Sequence, residues 1–126
     1  SERAPGDAAS PAAVWVPARN VVFVAIAAAH AEAAAAQWVV TGFNREEAAT
    51  FADNSAAFVQ ACDTTLGFAT RNAVRVTSPT LAWDKAEIVA AARALGFSAG
   101  DFWSCYEGGA APCGRCESCL RSRWTR

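Results

Sequence analysis

Four cysteines crowd into residues 105–119: Cys105, then Cys113, Cys116 and Cys119 in a C-x-x-C-x-x-C run. Four thiolates at such spacing supply the soft, tetrahedral ligand set that zinc prefers. Gly108, Gly109 and Gly114 let the backbone reverse tightly around an ion, and Arg115, Arg121 and Arg123 can offset thiolate charge. The rival is an iron–sulfur cluster, since ferredoxins use the same run. There, however, the fourth cysteine usually follows the run and precedes a proline, whereas here it lies upstream. Disulfides are the third reading. The remaining cysteine, Cys62, stands alone and reads as a buried thiol. A four-cysteine zinc site has no open coordination position, so its expected role is structural, and the metal alone names no reaction.

The rest of the chain does not need stapling. Hydrophobic residues make up 53% of 126 positions, enough for a core, so the compartment reads as reducing and cytoplasmic rather than disulfide-forming. A net charge of −1 argues against a general nucleic-acid binder, including a zinc-ribbon one. No apolar run reaches membrane-spanning length, because His30 and Glu32 interrupt the longest, Val21 to Ala36. The polar first residues, Ser1 to Asp7, lack the apolar core of a signal peptide, so none is expected. The sequence contains no methionine. Removal of an initiator and an internal piece of a longer chain are both compatible with that.

Residues 1–13, rich in Ala, Pro and Ser, read as a flexible lead-in. Asn20 is an expected N-cap for a helix from Val21 to Ala36, apolar nearly all round and so expected to be buried on several sides. Trp38–Thr41 and Val74–Thr77 read as strands. Asn44 with Glu47, and Asp84 with Glu87, read as capping boxes. A helix is expected after Asn54 or Ser55, and another from Asp84 to Gly96. Alternating helices and strands define an α/β chain with a parallel sheet. Two strands are few for such a sheet, which needs both faces covered, so residues 14–100 read as part of a larger α/β domain, with 101–126 as a zinc-binding segment.

Ser104-Cys105-Tyr106-x-Gly108, followed by Cys113-Gly114-x-Cys116-x-Ser118-Cys119-x-Arg121, closely resembles the carboxyl-terminal signature of the 7-cyano-7-deazaguanine synthase family of queuosine biosynthesis. Val16-Pro17-Ala18-Arg19-Asn20, Thr41-Gly42-Phe43-Asn44 with Glu47, Phe51-Ala52-Asp53-Asn54-Ser55 with Phe58, and Lys85-Ala86-Glu87 resemble further family segments in order and spacing. Phe51, Ala52 and Asn54 replace the family's tyrosine, proline and cysteine. The Gly-rich S-G-G-x-D-S loop with which members begin, and which binds ATP, is not among these residues. The similarity is to the carboxyl-terminal part.

This resemblance implies a Rossmann-like, adenine nucleotide alpha hydrolase-like fold. It also implies ATP-dependent conversion of 7-carboxy-7-deazaguanine and ammonia to the nitrile through an adenylated carboxylate, with Mg2+ in the complete enzyme and a homodimer. A second reading is a split or degenerate member that keeps the fold and zinc but serves as a binding component of a deazaguanine modification system. Arg19 and Asn20 lie before a helix N-terminus, where anions bind. Lys85 sits in a first helical turn, against the dipole, and could neutralise phosphate charge. The expected assignments are Arg19, Asn20, Asn44 and Glu47 to the deazaguanine substrate, and Asp53 and Lys85 to catalysis. In a parallel sheet they should gather beyond the carboxyl ends of the strands.

Overall fold

The computed structural model describes residues 14–122 and Trp124. The expected lead-in, residues 1–13, lies outside them, as does Arg123. The chain divides into two compact units: Val16–Asp84, and one that holds the residues from Lys85 onward.

Near the start of the first unit, after Pro17, Ala18 takes a left-handed conformation (φ 57°) and starts helix α1, Arg19–Ala33. Asn20 is therefore not the cap. It lies one residue inside the helix, buried, and its side chain points inward instead of closing the first turn. The helix also ends before Ala36. Ala35 turns left-handed (φ 56°), the Ala36 amide donates to the Ala31 carbonyl at 2.8 Å, and the Ala35 amide donates to that of Glu32 at 3.0 Å. This is a Schellman closure made without the glycine that usually signals it.

Strand β1 (Trp38–Val40) and strand β2 (Arg75–Thr77) pair in parallel, Val39 opposite Val76. Between them come α2 (Arg45–Thr50), a 3-10 turn (Ala52–Asn54) and α3 (Ala56–Ala69). The caps of α2 and α3 are as the sequence implies. The Glu47 amide donates to Asn44 Oδ1 at 3.0 Å, and the Phe58 amide to Ser55 Oγ at 3.1 Å. Each bond satisfies a donor that the first helical turn leaves unpaired.

The core lies on one face of the sheet. Val39 and Val76 pack with Val24, Ala28 and Ala31 of α1 and with Cys62 and Leu66 of α3; Val74, just before β2, is fully buried. Cys62 is the buried thiol expected, its pKa raised by burial and then by the neighbouring Asp63 carboxylate. Burial of α1 on several sides does not occur in this unit. Val21, Val22, Phe23 and Ile26 are each about half exposed, because a two-stranded sheet offers the helix a single surface to pack on.

In the second unit, α4 (Lys85–Ala94) ends near Gly96 (φ 90°), and a 3-10 turn (Ala99–Asp101) is closed by a Ser98–Asp101 capping box. Phe102 stacks on Trp124 at 5.1 Å and packs against Phe97 at 5.6 Å, while the Arg93 guanidinium lies 5.7 Å from the Trp124 ring. These contacts tie the two ends of the cysteine segment to α4. The last helix, α5 (Glu117–Arg121), lies within that segment. Among the described residues no helix is long and apolar enough to cross a membrane.

Candidate metal centre

The sulfurs of Cys105, Cys113, Cys116 and Cys119 all lie within 4.8 Å of one another. None of the four is in a disulfide, and Cys113 and Cys119 Sγ stand 3.9 Å apart, about twice an S–S bond. A tetrahedral ion with metal–sulfur bonds of about 2.3 Å separates its ligands by about 3.8 Å. The residues present therefore fit a single ion.

The backbone aims its amides at these sulfurs. Glu107 and Cys113 N–H donate to Cys105 Sγ, both at 3.4 Å. Arg115 and Cys116 N–H donate to Cys113 Sγ at 3.4 and 3.2 Å, and Cys119 N–H to Cys116 Sγ at 3.4 Å. Positive φ at Gly108 (63°) and Gly114 (71°) turns the chain so that these N–H groups face inward, a conformation that side-chain-bearing residues rarely adopt. Cys116 is also the N-cap of α5. Trp103 Nε1–H donates to the Cys105 carbonyl at 2.9 Å and braces the first ligand from outside. Arg121, read as a counter-charge to the thiolates, pairs with Glu117 one turn earlier.

These amides, together with burial and the neighbouring sulfurs, shift the acidities of Cys105, Cys116 and Cys119. Bonds from the Tyr106 and Cys119 amides bring Cys116 down to about 6. Cys105 is also lowered, by the Cys113 and Glu107 amides. At Cys119 the Gly114 amide pulls downward, but desolvation and the sulfurs of Cys116, Cys105 and Cys113 outweigh it and hold the thiol up at about 12. In the metal-free chain Cys116 is therefore expected to ionise more readily than Cys119. Iodoacetamide followed by peptide mass spectrometry is expected to label Cys116 first and Cys119 last, since the thiolate is the nucleophile. Equal labelling of all four would show that the amide cage does not persist without an ion.

The other sequence-derived candidates fall in two places. In the first unit, Asn20 Nδ2 donates to the Asp53 carbonyl at 3.0 Å, and the Arg19 guanidinium donates to Asn20 Oδ1 at 3.3 Å. Arg19, Asn20 and Asp53 thus form one chain of contacts at the start of α1. Asn44 and Glu47 begin α2, just past the carboxyl end of β1. That rim is knitted by Ser78 Oγ donating to the Thr41 and Phe43 carbonyls (3.2 Å each) and by Thr80 Oγ1 donating to Phe43 O at 2.6 Å. Phe43 meets Phe58 edge-on at 6.0 Å. Lys85 is the first residue of α4, half-buried, and belongs to the second unit. The sequence reading missed the backbone donors around the sulfurs. Glycines mark where the chain turns but not which amide will reach which sulfur.

The family described as "Queuosine biosynthesis protein QueC" matches residues 2–124. Over 112 residues, 89% of this chain, it is 54% identical to the 7-cyano-7-deazaguanine synthase of Pelotomaculum thermopropionicum, covering 51% of that protein. The enzyme of the same name from Carboxydothermus hydrogenoformans is 50% identical over 90% of this chain and 53% of its own length. That of Methanosarcina mazei is 47% identical over 86% and 47% respectively. The chain belongs to the QueC family, and it spans about half the length of the curated relatives it matches.

Proposed function

We propose that this chain supplies the carboxyl-terminal part of a 7-cyano-7-deazaguanine synthase. The complete enzyme, acting in the cytoplasm as a homodimer, converts 7-carboxy-7-deazaguanine and ammonia to the nitrile at the expense of ATP, with Mg2+. The observation that carries this reading is the identity of 54% to a protein of that name across 89% of the chain. The same match disfavours a degenerate binding module.

A carboxylate resists attack by ammonia because its carbon is electron-rich and oxide is a poor leaving group. Transfer of AMP from ATP to a carboxylate oxygen, with release of pyrophosphate, makes that oxygen part of a good leaving group; ammonia displaces AMP to give the amide, and adenylation of the amide oxygen by a second ATP, followed by loss of AMP and the two N–H protons, would leave the nitrile. Lys85 would offset phosphate charge as it builds up. Asp53 would hold or accept a proton at the reacting end. Arg19, Asn44 and Glu47 would position the deazaguanine, and Asn20 would keep Arg19 and the Asp53 turn in place. The Gly-rich loop that the family resemblance implies, which would cradle the phosphates, is not among these residues and would have to come from the rest of the synthase.

The four cysteines would hold zinc, which closes residues 105–119 into a knuckle and contributes folding free energy rather than a reacting position. Sulfurs within 4.8 Å of one another leave room for one ion, whereas a multi-iron cluster spreads its thiolates around an inorganic core. Elemental analysis of purified chain is expected to give about one zinc per chain; iron with visible absorbance would reject zinc.

Turnover tests the functional reading directly. The chain alone, given ATP, ammonia and 7-carboxy-7-deazaguanine, is expected to form no nitrile. Adding a polypeptide that spans the unmatched half of the Pelotomaculum thermopropionicum relative should restore it. Turnover by the chain alone would show that the ATP site has been misplaced.

A further inference from the structure

The loops that follow the two strands are laced together, and the lacing closes on one residue. Ser78-Pro79-Thr80-Leu81 forms a turn, the Leu81 amide donating to the Ser78 carbonyl at 3.1 Å, and the Trp83 amide closes the next turn on the Thr80 carbonyl at 2.9 Å. Pro79, in the second position, pre-sets the backbone of the first turn. From this folded loop Thr80 Oγ1 donates to the Phe43 carbonyl at 2.6 Å, the short end for a hydroxyl donor. Ser78 Oγ reaches the same oxygen at a looser 3.2 Å and shares its hydrogen with the Thr41 carbonyl. The Arg45 amide in turn donates to the Trp83 carbonyl at 2.9 Å.

The Phe43 carbonyl and the Arg45 amide belong to the two peptide groups that flank Asn44. A peptide group is planar, so a residue has two soft backbone angles, and holding both flanking planes fixes both of them. Asn44 is buried and extended (φ −142°, ψ 164°), and its side-chain oxygen is committed to the Glu47 amide. That bond leaves the NH2 end as a donor. Asn72 Oδ1 is the one polar side-chain atom sealed from solvent without a partner among the described residues. Asn44 Nδ2, which has no partner among them either, therefore keeps a surface open to a ligand. It can offer one kind of bond, donation to a carbonyl, carboxylate or ring-nitrogen acceptor.

We infer that Thr80 is a positioning residue of the deazaguanine site, with Ser78 as its weaker partner: the two hydroxyls hold the Phe43 peptide group and so aim Asn44 Nδ2 at an acceptor atom of the substrate. The inference rests on the reading of Asn44 as a substrate contact of the synthase, and the test separates the two. A donor already held in place binds more tightly, because less freedom is lost when the ligand arrives. Removing the Thr80 hydroxyl leaves the Asn44 cap on Glu47 intact and leaves Ser78 on the Phe43 carbonyl, so the fold survives while the aim is loosened.

The full chain, mixed with the polypeptide spanning the unmatched half of the Pelotomaculum thermopropionicum relative, is assayed with Thr80→Val, which keeps the side chain's shape and removes its donor. The KM for 7-carboxy-7-deazaguanine is expected to rise about five- to tenfold, the scale of one hydrogen bond, with kcat and the KM for ATP unchanged. Thr80→Ser, which keeps the hydroxyl, should restore the wild-type value, and Ser78→Ala should give a smaller rise in the same constant. Asn44→Asp keeps the capping oxygen and loses the donor; on that background Thr80→Val should add nothing, because the two act in series. A wild-type KM in Thr80→Val, or kcat and both KM values altered alike, would overturn the inference. So would full additivity with Asn44→Asp. Should Thr80→Val fail to fold, a wild-type KM in Ser78→Ala would overturn it. Calorimetric binding of 7-carboxy-7-deazaguanine without ATP separates the two readings. Nitrile formation with Thr80→Val binding as tightly as wild type would leave the synthase reading standing and remove the positioning role. Binding weakened by Thr80→Val without nitrile formation would do the reverse, and no binding to the wild-type mixture would reject both.

Discussion

Replacing Cys116 by serine is expected to strip the metal from the chain and unravel residues 103–122, while the Val16–Asp84 unit keeps its fold. Cys116 is more than one ligand in four. Its sulfur accepts the Cys119 amide that starts α5, and its own amide donates to Cys113 Sγ. Serine offers a harder, neutral oxygen at the same place. Second-sphere changes at metal sites cost about 10–100-fold in affinity, and losing a direct thiolate should exceed that. Apparent binding free energies of structural zinc are about 10–16 kcal/mol in peptide systems, far more than the aromatic contacts around Phe102 and Trp124 can replace. Metal content and limited proteolysis check this: zinc should fall to background, and new cleavage should appear after Phe102. The control is Cys62→Ser. That thiol is buried in the first unit beside Leu66 and Val76, so the change should cost some stability and leave metal content untouched. Retention of zinc by the Cys116 variant would show that three cysteines and water suffice.

In the reconstituted enzyme, Asp53→Ala and Lys85→Ala are each expected to lower kcat/KM by roughly 10²–10³-fold, the usual cost of losing one preorganised electrostatic group. Neither should shift the unfolding midpoint much. The Asp53 carbonyl, which holds Asn20, survives the substitution, and Lys85 occupies a first helical turn where a cation opposes the dipole. Asn20→Ala should behave differently. It removes the buried amide that bridges Arg19 to the Asp53 turn, so stability should fall together with activity. Steady-state kinetics beside thermal unfolding separates the two patterns. Wild-type kcat/KM in the Asp53 or Lys85 variant would remove that residue from the proposed chemistry.

Much of this was legible in the chain itself, because the signals were local. The C-x-x-C-x-x-C spacing with glycines at 108 and 114 dictates a knuckle whatever surrounds it. Asn44 and Ser55 cap the helices after them because a short polar side chain reaches an amide three residues on, a distance fixed by helix geometry. The apolar run at Trp38–Thr41 and the alternation at Val74–Thr77 gave two strand signals, and the parallel pairing followed from the helices between them, although the first strand, which reads as buried, keeps only Val39 inside while Trp38 and Val40 stay exposed.

What the tertiary structure alone decided were matters of long-range contact. Asn20 looked like a cap, yet Pro17 and a left-handed Ala18 start the helix early and turn its amide to the Asp53 carbonyl, 33 positions away. The helix that reads as buried on several sides has one buried stripe, because burial depends on how many surfaces are present and not on how apolar a helix is. Asp63, an ordinary helix residue in the sequence, closes one edge of the sheet only because α3 lies across β2 and carries its carboxylate to the Val76 amide. Likewise the acidities of Cys105, Cys116 and Cys119 come from the amides, the burial and the neighbouring sulfurs that the fold brings to each, so like side chains in one motif differ in affinity for a proton.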